Sequence, residues 1–424
     1  MKVPRLVYAD ENGQIFDHPV LELAGSSAGR IRTPEPQELI PMPEGSELFL
    51  LPGRYPVGFN RIENKMEILE DDPFSLGKKV QAVAAFMAPA HTQILTAAYR
   101  TKPDAPVLPL FSYTAVGWMD GKFWVCGLRV DSDTRQDIRF FDREKIEKGV
   151  RKKVKEYPDN RLVRHLSKCA LTYGCPAANN YFLERWEAPL PTSPSCNARC
   201  LGCISLQKDS GFCASQDRIS FVPTPEEIQE VAVPHLEKAP RPVVSFGQGC
   251  EGEPLMQGKT LEKAISKIRN ATSKGTVNLN TNGSMPDTVS RLMDSGLDSI
   301  RVSLNSCRED YFNAYYRPLG YSLDDLKKSL RVVKEKNGFA SINYLLLPGL
   351  NDEREEFEAL CNFIEDTEID LIQMRNLNID PEWYLKKIGF QARGKPLGLL
   401  GFMEQISSRF PHIRFGYFNP PLRS

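Results

Sequence analysis

No apolar run in this chain approaches the ~18 residues expected of a membrane-spanning helix, and the opening residues MKVPRLVYADENG lack the apolar core of a secretory signal. No membrane partner is therefore expected, and a cytoplasmic location is. Net charge is lacking too, because 54 basic residues cancel 54 acidic ones. With no excess of either sign, nucleic acid is not an expected partner. Disulfide density is also absent. A chain of 424 residues can bury its own core, and in a reducing compartment its ten cysteines read as small buried residues, metal ligands or catalytic thiols.

What is present falls into two rhythms. From Met1 to about Phe140, short β-branched and aromatic runs alternate with turn dipeptides, as in RLVYADENGQIFDHP and LFSYTAVGWMDGKFWVCGLRV. Asn12-Gly13 and Asp120-Gly121 each sit between apolar segments, which predicts tight hairpins with both central residues at positive φ. Residues 1–140 are thus expected to form a β-rich domain, and 141–187 a helical connector. From residue 188 to 380 the pattern becomes strand, helix, strand, helix, six times over. The strands are placed at EAPLPTS, PVVSFGQG, TVNLNTNG, SIRVSLNS, SINYLLLPG and DLIQMRNLN. One intervening helix opens on TPEE, with Thr224 as cap, Pro225 in the first turn and Glu227 closing a capping box; Ser322 to Asp325 repeats the device. Such alternation implies parallel strands, and an active site in the loops at their C-terminal ends. The expected fold is α/β, a partial (β/α)6 TIM-like barrel with an N-terminal β-rich domain. Residues 381–424 form a tail that either crosses the barrel mouth or packs against the barrel.

Three of the ten cysteines crowd into CNARCLGC, just after the first expected strand: Cys196, Cys200 and Cys203. No second Cys-x2-Cys or His-x3-His accompanies them, whereas a closed zinc site wants four ligands. Three thiolates suit a 4Fe-4S cluster with one iron open to an outside ligand. Here the chain resembles the radical SAM superfamily, whose CxxxCxxC loop follows the first strand of a partial barrel. The resemblance continues in barrel order. FGQGCEGEPL is similar to the superfamily's Gly-Gly-Glu segment, matching at Gly252, Glu253 and Pro254, with two extra residues that set Glu251 in competition with Glu253. Thr281-Asn282-Gly283 follows the third strand, RVSLNS offers Ser303 and Asn305 after the fourth, PGLND turns after the fifth, and Arg375 stands on the sixth.

The resemblance implies S-adenosylmethionine chelated at the open iron, reductive cleavage to a 5'-deoxyadenosyl radical, and a flavodoxin- or ferredoxin-type electron donor. It also implies that Glu253 or Glu251 holds the methionyl amino group. Asn282, Ser303, Asn305 and Arg375 are implied as polar contacts of the cosubstrate, and Gly202 as a backbone contact to adenine where the superfamily commonly has an aromatic residue. The substrate, a small metabolite or a peptide, is not legible. Two alternatives stand beside this reading: an activase for a glycyl-radical enzyme, and a non-catalytic iron-sulfur or zinc-binding interaction protein. Cys169, Cys175 and Cys213 are either packing residues or ligands of an auxiliary cluster, and Cys250 and Cys307 are expected to pack.

Overall fold

The polypeptide begins as antiparallel β-structure built around an eleven-stranded sheet. The computed structural model describes residues 3–207 and 212–423. Strand Arg5–Ala9 lies centrally, paired with Ile15–Leu23 on one side and Val116–Met119 on the other. At the second hairpin Asp120 (φ 51°) and Gly121 (φ 78°) both adopt positive φ, as expected. The first hairpin differs, since only Gly13 is in that region (φ 81°). Its loop is wider, closing at Ala9 and Ile15, because the Asp10 carboxylate accepts the N–H groups of Asn12 (2.9 Å) and Gln14 (2.8 Å) and folds a local turn.

Helices α1 (Arg143–Glu156), α2 (Arg161–Tyr173) and α3 (Pro176–Phe182) link this region to the barrel. The six expected barrel strands follow: β1 (Glu187–Pro189), β2 (Val243–Phe246), β3 (Thr276–Thr281), β4 (Ser299–Leu304), β5 (Phe339–Leu346) and β6 (Leu371–Asn376). They pair in chain order and all in parallel. A seventh, β7 (Arg414–Gly416), comes from the tail and adds to β6, while β1 and β7 do not meet. The sheet is therefore curled but open. Both capping boxes form as read: Thr224 and Glu227 start the helix Pro225–Lys238, and Ser322 and Asp325 start Leu323–Glu335.

Alternation along the strands sets the barrel's chemistry. Val244, Phe246, Val277, Leu279, Ile300, Val302, Ile342 and Ile372 belong to the main apolar core beneath the crossover helices. The residues between them, Ser245, Asn278, Asn280, Arg301, Ser303, Asn343, Gln373 and Arg375, are polar and point inward. The barrel interior is thus built to receive a polar ligand.

The N-terminal region is fixed to the C-terminal end of β6. Thr92 Oγ1 donates to the Met374 carbonyl (2.7 Å), and the Gln93 N–H donates to Asn376 Oδ1 (2.8 Å). Just beyond, Arg54 pairs with Asp380 at 2.7 Å, both side chains buried, and the same carboxylate oxygen accepts the Leu108 N–H (3.0 Å). Among the described residues no helix is long and apolar enough to cross a membrane.

Candidate functional site

Pro189 and Pro191 curtail β1, and the chain runs on as an irregular loop carrying Cys196, Cys200 and Cys203. Hydrogen bonds from three sides hold this loop. Gly252 N–H donates to Ser193 O (2.6 Å) and Glu253 N–H to Ser195 O (2.8 Å), from the loop after β2. Arg199 and Leu201 donate to the carbonyls of Tyr316 (2.9 Å) and Tyr315 (3.0 Å), at the end of the helix Glu309–Tyr316 after β4. Asn282, after β3, donates its amide to Asn197 Oδ1 (2.8 Å). The three thiols are positioned before any ligand arrives.

Glu251 and Glu253 are both buried, and their partners separate their roles. Glu251 accepts four backbone N–H groups, from Thr192 (2.7 Å), Ser193 (2.9 Å), Gly247 (2.8 Å) and Gln248 (2.7 Å). A carboxylate has about four acceptor positions, so Glu251 is saturated. It staples the loop after β1 to the loop after β2. Glu253 accepts from Thr281 Oγ1 (2.5 Å), Leu255 N–H (3.0 Å) and Asn282 N–H (2.8 Å), which leaves one position on Oε2. Burial raises both carboxyls from 4.5 to about 7, against these donors.

Gly252 allows a close backbone approach, because a Cβ there would lie 2.0 Å from the Ser195 carbonyl oxygen. Gly202 meets a side chain instead, since a Cβ there would lie 2.8 Å from the Tyr315 hydroxyl oxygen. An aromatic group does stand beside the third cysteine, but it comes from the helix after β4 rather than from position 202.

These groups surround a cavity of about 550 Å³ lined by Cys196, Cys200, Gly202, Cys203, Glu251, Gly252, Glu253, Asn282, Ser303 and Arg375. That volume lies within the range of small-molecule sites. Asn305 is not part of the lining. β4 ends at Leu304, and Asn305 follows it, fully buried, donating to Tyr311 O and Tyr384 Oη (both 3.1 Å). Phe86, Met87 and Pro89 of the N-terminal region, and Tyr417 of the tail, complete the wall.

The structure adds three residues that spacing alone does not reveal. Arg218 donates to Cys203 Sγ (3.4 Å) and Ser205 Oγ (3.1 Å), placing a cation on a thiol. Tyr315 covers Gly202. Arg301, two residues before Ser303 and so on the same face of β4, points into the cavity beside Arg375; the period-2 rule could have found it. Neither guanidinium has an ion-pair partner among the described residues, although Arg375 lies 3.8 Å over the Tyr417 ring. Burial and the neighbouring Arg375 lower Arg301 to about 9.

Residues 190–364 match the sequence model of the radical SAM superfamily. It is similar to the FeMo cofactor biosynthesis protein NifB of Klebsiella pneumoniae, 27% identical over 180 residues that cover 38% of this chain and 37% of that one. It is also similar to a probable dual-specificity RNA methyltransferase RlmN of Thermotoga sp. (strain RQ2), 24% identical over 196 residues, 44% of this chain and 53% of that one. The chain thus spans about a third to a half of these curated relatives. Among solved structures, Streptococcus suis SuiB bound to precursor peptide SuiA aligns at TM-score 0.40 and 14% identity, covering 63% of this chain and 62% of that one.

The cofactors of this superfamily are a 4Fe-4S cluster and S-adenosylmethionine, and the residues present fit both. Burial, with the other cysteines close by, pushes the Cys200 thiol well above its usual range, and burial beside Glu253 pushes Cys196 up to about 11. Thiols so placed become thiolates on a cationic centre rather than on their own. They are also too widely spaced for one ion. Among the described residues the one group of three His, Cys, Asp or Glu ligand atoms mutually within 4.8 Å lies elsewhere. Tetrahedral zinc with ~2.3 Å bonds to sulfur would need its ligands ~3.8 Å apart. For the cosubstrate, Tyr316 Oη, Arg301 Nε, Asn343 Oδ1 and Arg375 Nε are buried without hydrogen-bond partners on residues lining the cavity. Buried polar groups seldom stay unpaired, so a polar ligand completes them.

Proposed function

We propose that this protein is a radical S-adenosylmethionine enzyme that abstracts a hydrogen atom from a small metabolite or a peptide. The carrying observation is a three-thiol loop, pinned to the Gly252–Glu253 segment, at the wall of a cavity with unpaired inward polar groups. Cys196, Cys200 and Cys203 would hold the cluster. When bound, cluster and cosubstrate together supply the reductive cleavage that yields a 5'-deoxyadenosyl radical.

The chain's own residues divide the remaining work. Glu253, with one acceptor position left, receives the methionyl amino group; saturated Glu251 acts by positioning the loop. Arg375, with Ser303 nearby, receives the carboxylate, and the Gly202 backbone meets adenine under Tyr315. Asn282, committed to Asn197 and the Ser284 N–H (3.0 Å), braces the cluster loop, and Asn305 braces the segment that follows β4. The N-terminal region excludes water through Phe86, Met87 and Pro89, which supports a lid role over the activase's docking role. A flavodoxin- or ferredoxin-type donor supplies the electron. Neutral overall charge does not remove RNA from the substrates to be tried, since one relative is named for RNA methylation.

Anaerobic reconstitution with iron and sulfide, reduction with dithionite and addition of S-adenosylmethionine test this reading. The expected result is about four irons for this centre and 5'-deoxyadenosine, both lost when Cys196, Cys200 and Cys203 become alanine. Zinc in that loop with no cleavage product would establish the interaction-protein alternative instead.

A further inference from the structure

The group of ligand atoms within 4.8 Å of one another is His165, Cys169 and Cys250. It lies outside the three-cysteine loop. His165 and Cys169 are i and i+4 on α2, hence on one face, with His165 Nε2 3.5 Å from Cys169 Sγ. Cys250 arrives from the loop after β2, which Glu251 staples in place and where the Cys250 carbonyl accepts the Ile219 N–H (2.7 Å). Cys169 and Cys250 are buried and His165 half-buried, so the group is shielded on most sides.

A third thiol stands nearby, outside that group. α2 ends at Gly174 in the left-handed conformation (φ 62°), and this folds Cys175 back so that its N–H donates to the Cys169 carbonyl (3.0 Å). Cys175 also lines the main cavity, as do Gly249 and Glu251 on either side of Cys250. The group therefore sits directly behind that cavity's wall.

Two thiols and an imidazole, with a third thiol adjoining, are a soft N/S donor set that selects zinc or iron over hard cations. The 3.5 Å separation of nitrogen and sulfur matches the ~3.6 Å edge of a tetrahedron with ~2.0 Å bonds to nitrogen and ~2.3 Å bonds to sulfur. Plain core packing accounts for two buried cysteines but not for an imidazole nitrogen directed at one of them.

We propose that His165, Cys169 and Cys250 bind a second metal centre of thiolate–imidazole ligation, zinc or iron, behind the wall of the main cavity. It replaces the trio Cys169, Cys175 and Cys213 suggested by proximity in sequence. Cys213 is exposed, on a segment that Asp217 ties to Lys168 of α2 (2.6 Å).

The test separates this centre from the first by using the Cys196→Ala/Cys200→Ala/Cys203→Ala variant throughout, so its outcome is independent of S-adenosylmethionine cleavage. That variant is incubated anaerobically with zinc, with ferrous iron, or with iron and sulfide, passed over a chelating resin, and analysed for metal and acid-labile sulfide. At least one zinc or iron retained per chain, with sulfur and imidazole scattering in its X-ray absorption spectrum, is expected. Retained sulfide identifies a cluster, and its absence a single ion. The metal is lost on adding Cys169→Ser and Cys250→Ser. Because those variants can fail to fold, cobalt titration of the parent triple variant gives a second readout: thiolate-to-cobalt charge-transfer and tetrahedral d–d bands, weakened by His165→Ala. The proposal is overturned by retention of no metal, by retention that Cys169→Ser and Cys250→Ser leave unchanged in a folded protein, or by a Cys169–Cys250 disulfide in thiol titration.

Discussion

Replacing Gly252 by alanine probes whether the loop after β2 sets the position of Cys196, the first of the proposed cluster ligands. The new Cβ would lie 2.0 Å from the Ser195 carbonyl oxygen, 2.5 Å from its carbon and 3.2 Å from the Cys196 nitrogen. All three are backbone atoms, so no rotamer change relieves the contact. The carbonyl must retreat by about 1 Å merely to reach 3.0 Å, the short limit of real Cβ contacts. Doing so stretches the bonds from Gly252 N–H to Ser193 O and from Glu253 N–H to Ser195 O, each contributing about 1 kcal/mol. Overpacking adds about 1–3 kcal/mol, giving a total cost of about 3–5 kcal/mol. For cooperative unfolding of a chain this long, with about 2.1 cal/mol/K per residue, that lowers Tm by about 3–6 °C. Gly202→Ala provides the control, because its nearest neighbour is one hydroxyl oxygen, Tyr315 Oη at 2.8 Å, with ring atoms no closer than 3.6 Å. Tyr315→Phe should therefore restore Gly202→Ala but do nothing for Gly252→Ala. Circular-dichroism melts and iron content after reconstitution measure both effects. A Gly252→Ala protein that melts within about 1 °C of the parent, with its full iron complement, would refute the argument.

Three further perturbations follow from single contacts. Arg218→Ala removes the N–H that donates to Cys203 Sγ; the cluster's midpoint potential should fall, because hydrogen bonds to cluster sulfur raise it, and an unchanged potential in redox titration would sink the assignment. Arg375→Gln should weaken S-adenosylmethionine binding at least tenfold by calorimetry, the effect of losing a charged hydrogen bond of about 1.5–3 kcal/mol, whereas parent-like affinity would move the carboxylate elsewhere. Glu356, buried under Ser306, Cys307 and Tyr344, is raised from 4.5 to about 7 by burial. Its folded form keeps a proton that the unfolded chain has released, so its contribution to stability is complete below pH 4.5 and lost as pH rises through about 7. Glu356→Gln should make the slope of stability against pH less negative in that window, by up to about 1.4 kcal/mol per pH unit; parallel slopes in denaturant titrations would contradict this.

The barrel was legible because its signals are local. β-branched runs, turn residues and capping boxes such as Thr224–Glu227 mark each strand and helix independently of what they pack against. The cysteine loop was legible because three thiols on one short segment need no tertiary contact to be noticed. What escaped came from pairs distant in sequence. Tyr315 replaces the aromatic group missing at Gly202, Arg218 reaches Cys203 from the far side of the loop, and His165 finds Cys250 across 85 positions. Asn305 was misplaced for a different reason, since alternation from Ser303 points it inward, but β4 stops at Leu304 and the next residue commits its amide to Tyr311 and Tyr384. The inserted Glu251 competed with Glu253 on sequence alone, and only the count of its donors separates a saturated staple from an available ligand.

The tail resolves in the same way, through one residue whose partners lie on four strands. An open sheet of parallel strands has two edges, here β1 and β7, that cannot satisfy each other. Asn419, 2% exposed, stands between them inside the barrel. Its amide lies 2.8 Å from Glu187 Oε1 on β1, 3.3 Å from Ser245 Oγ on β2 and 3.2 Å from Asn280 Oδ1 on β3, and its Oδ1 accepts from Gln373 Nε2 on β6 (2.9 Å). Three acceptors share two hydrogens, so the contact is a shared network rather than three separate bonds. Its carbonyl meanwhile accepts from Arg135 (2.9 Å), and Asp131 accepts the N–H groups of Tyr417 (2.9 Å) and Phe418 (3.2 Å). Tyr417, two residues earlier, carries Arg375 on its ring. The tail therefore neither crosses the mouth nor merely packs outside. It enters the barrel, bridges the two free edges by polar contacts, and sets the floor on which the cavity's arginine rests.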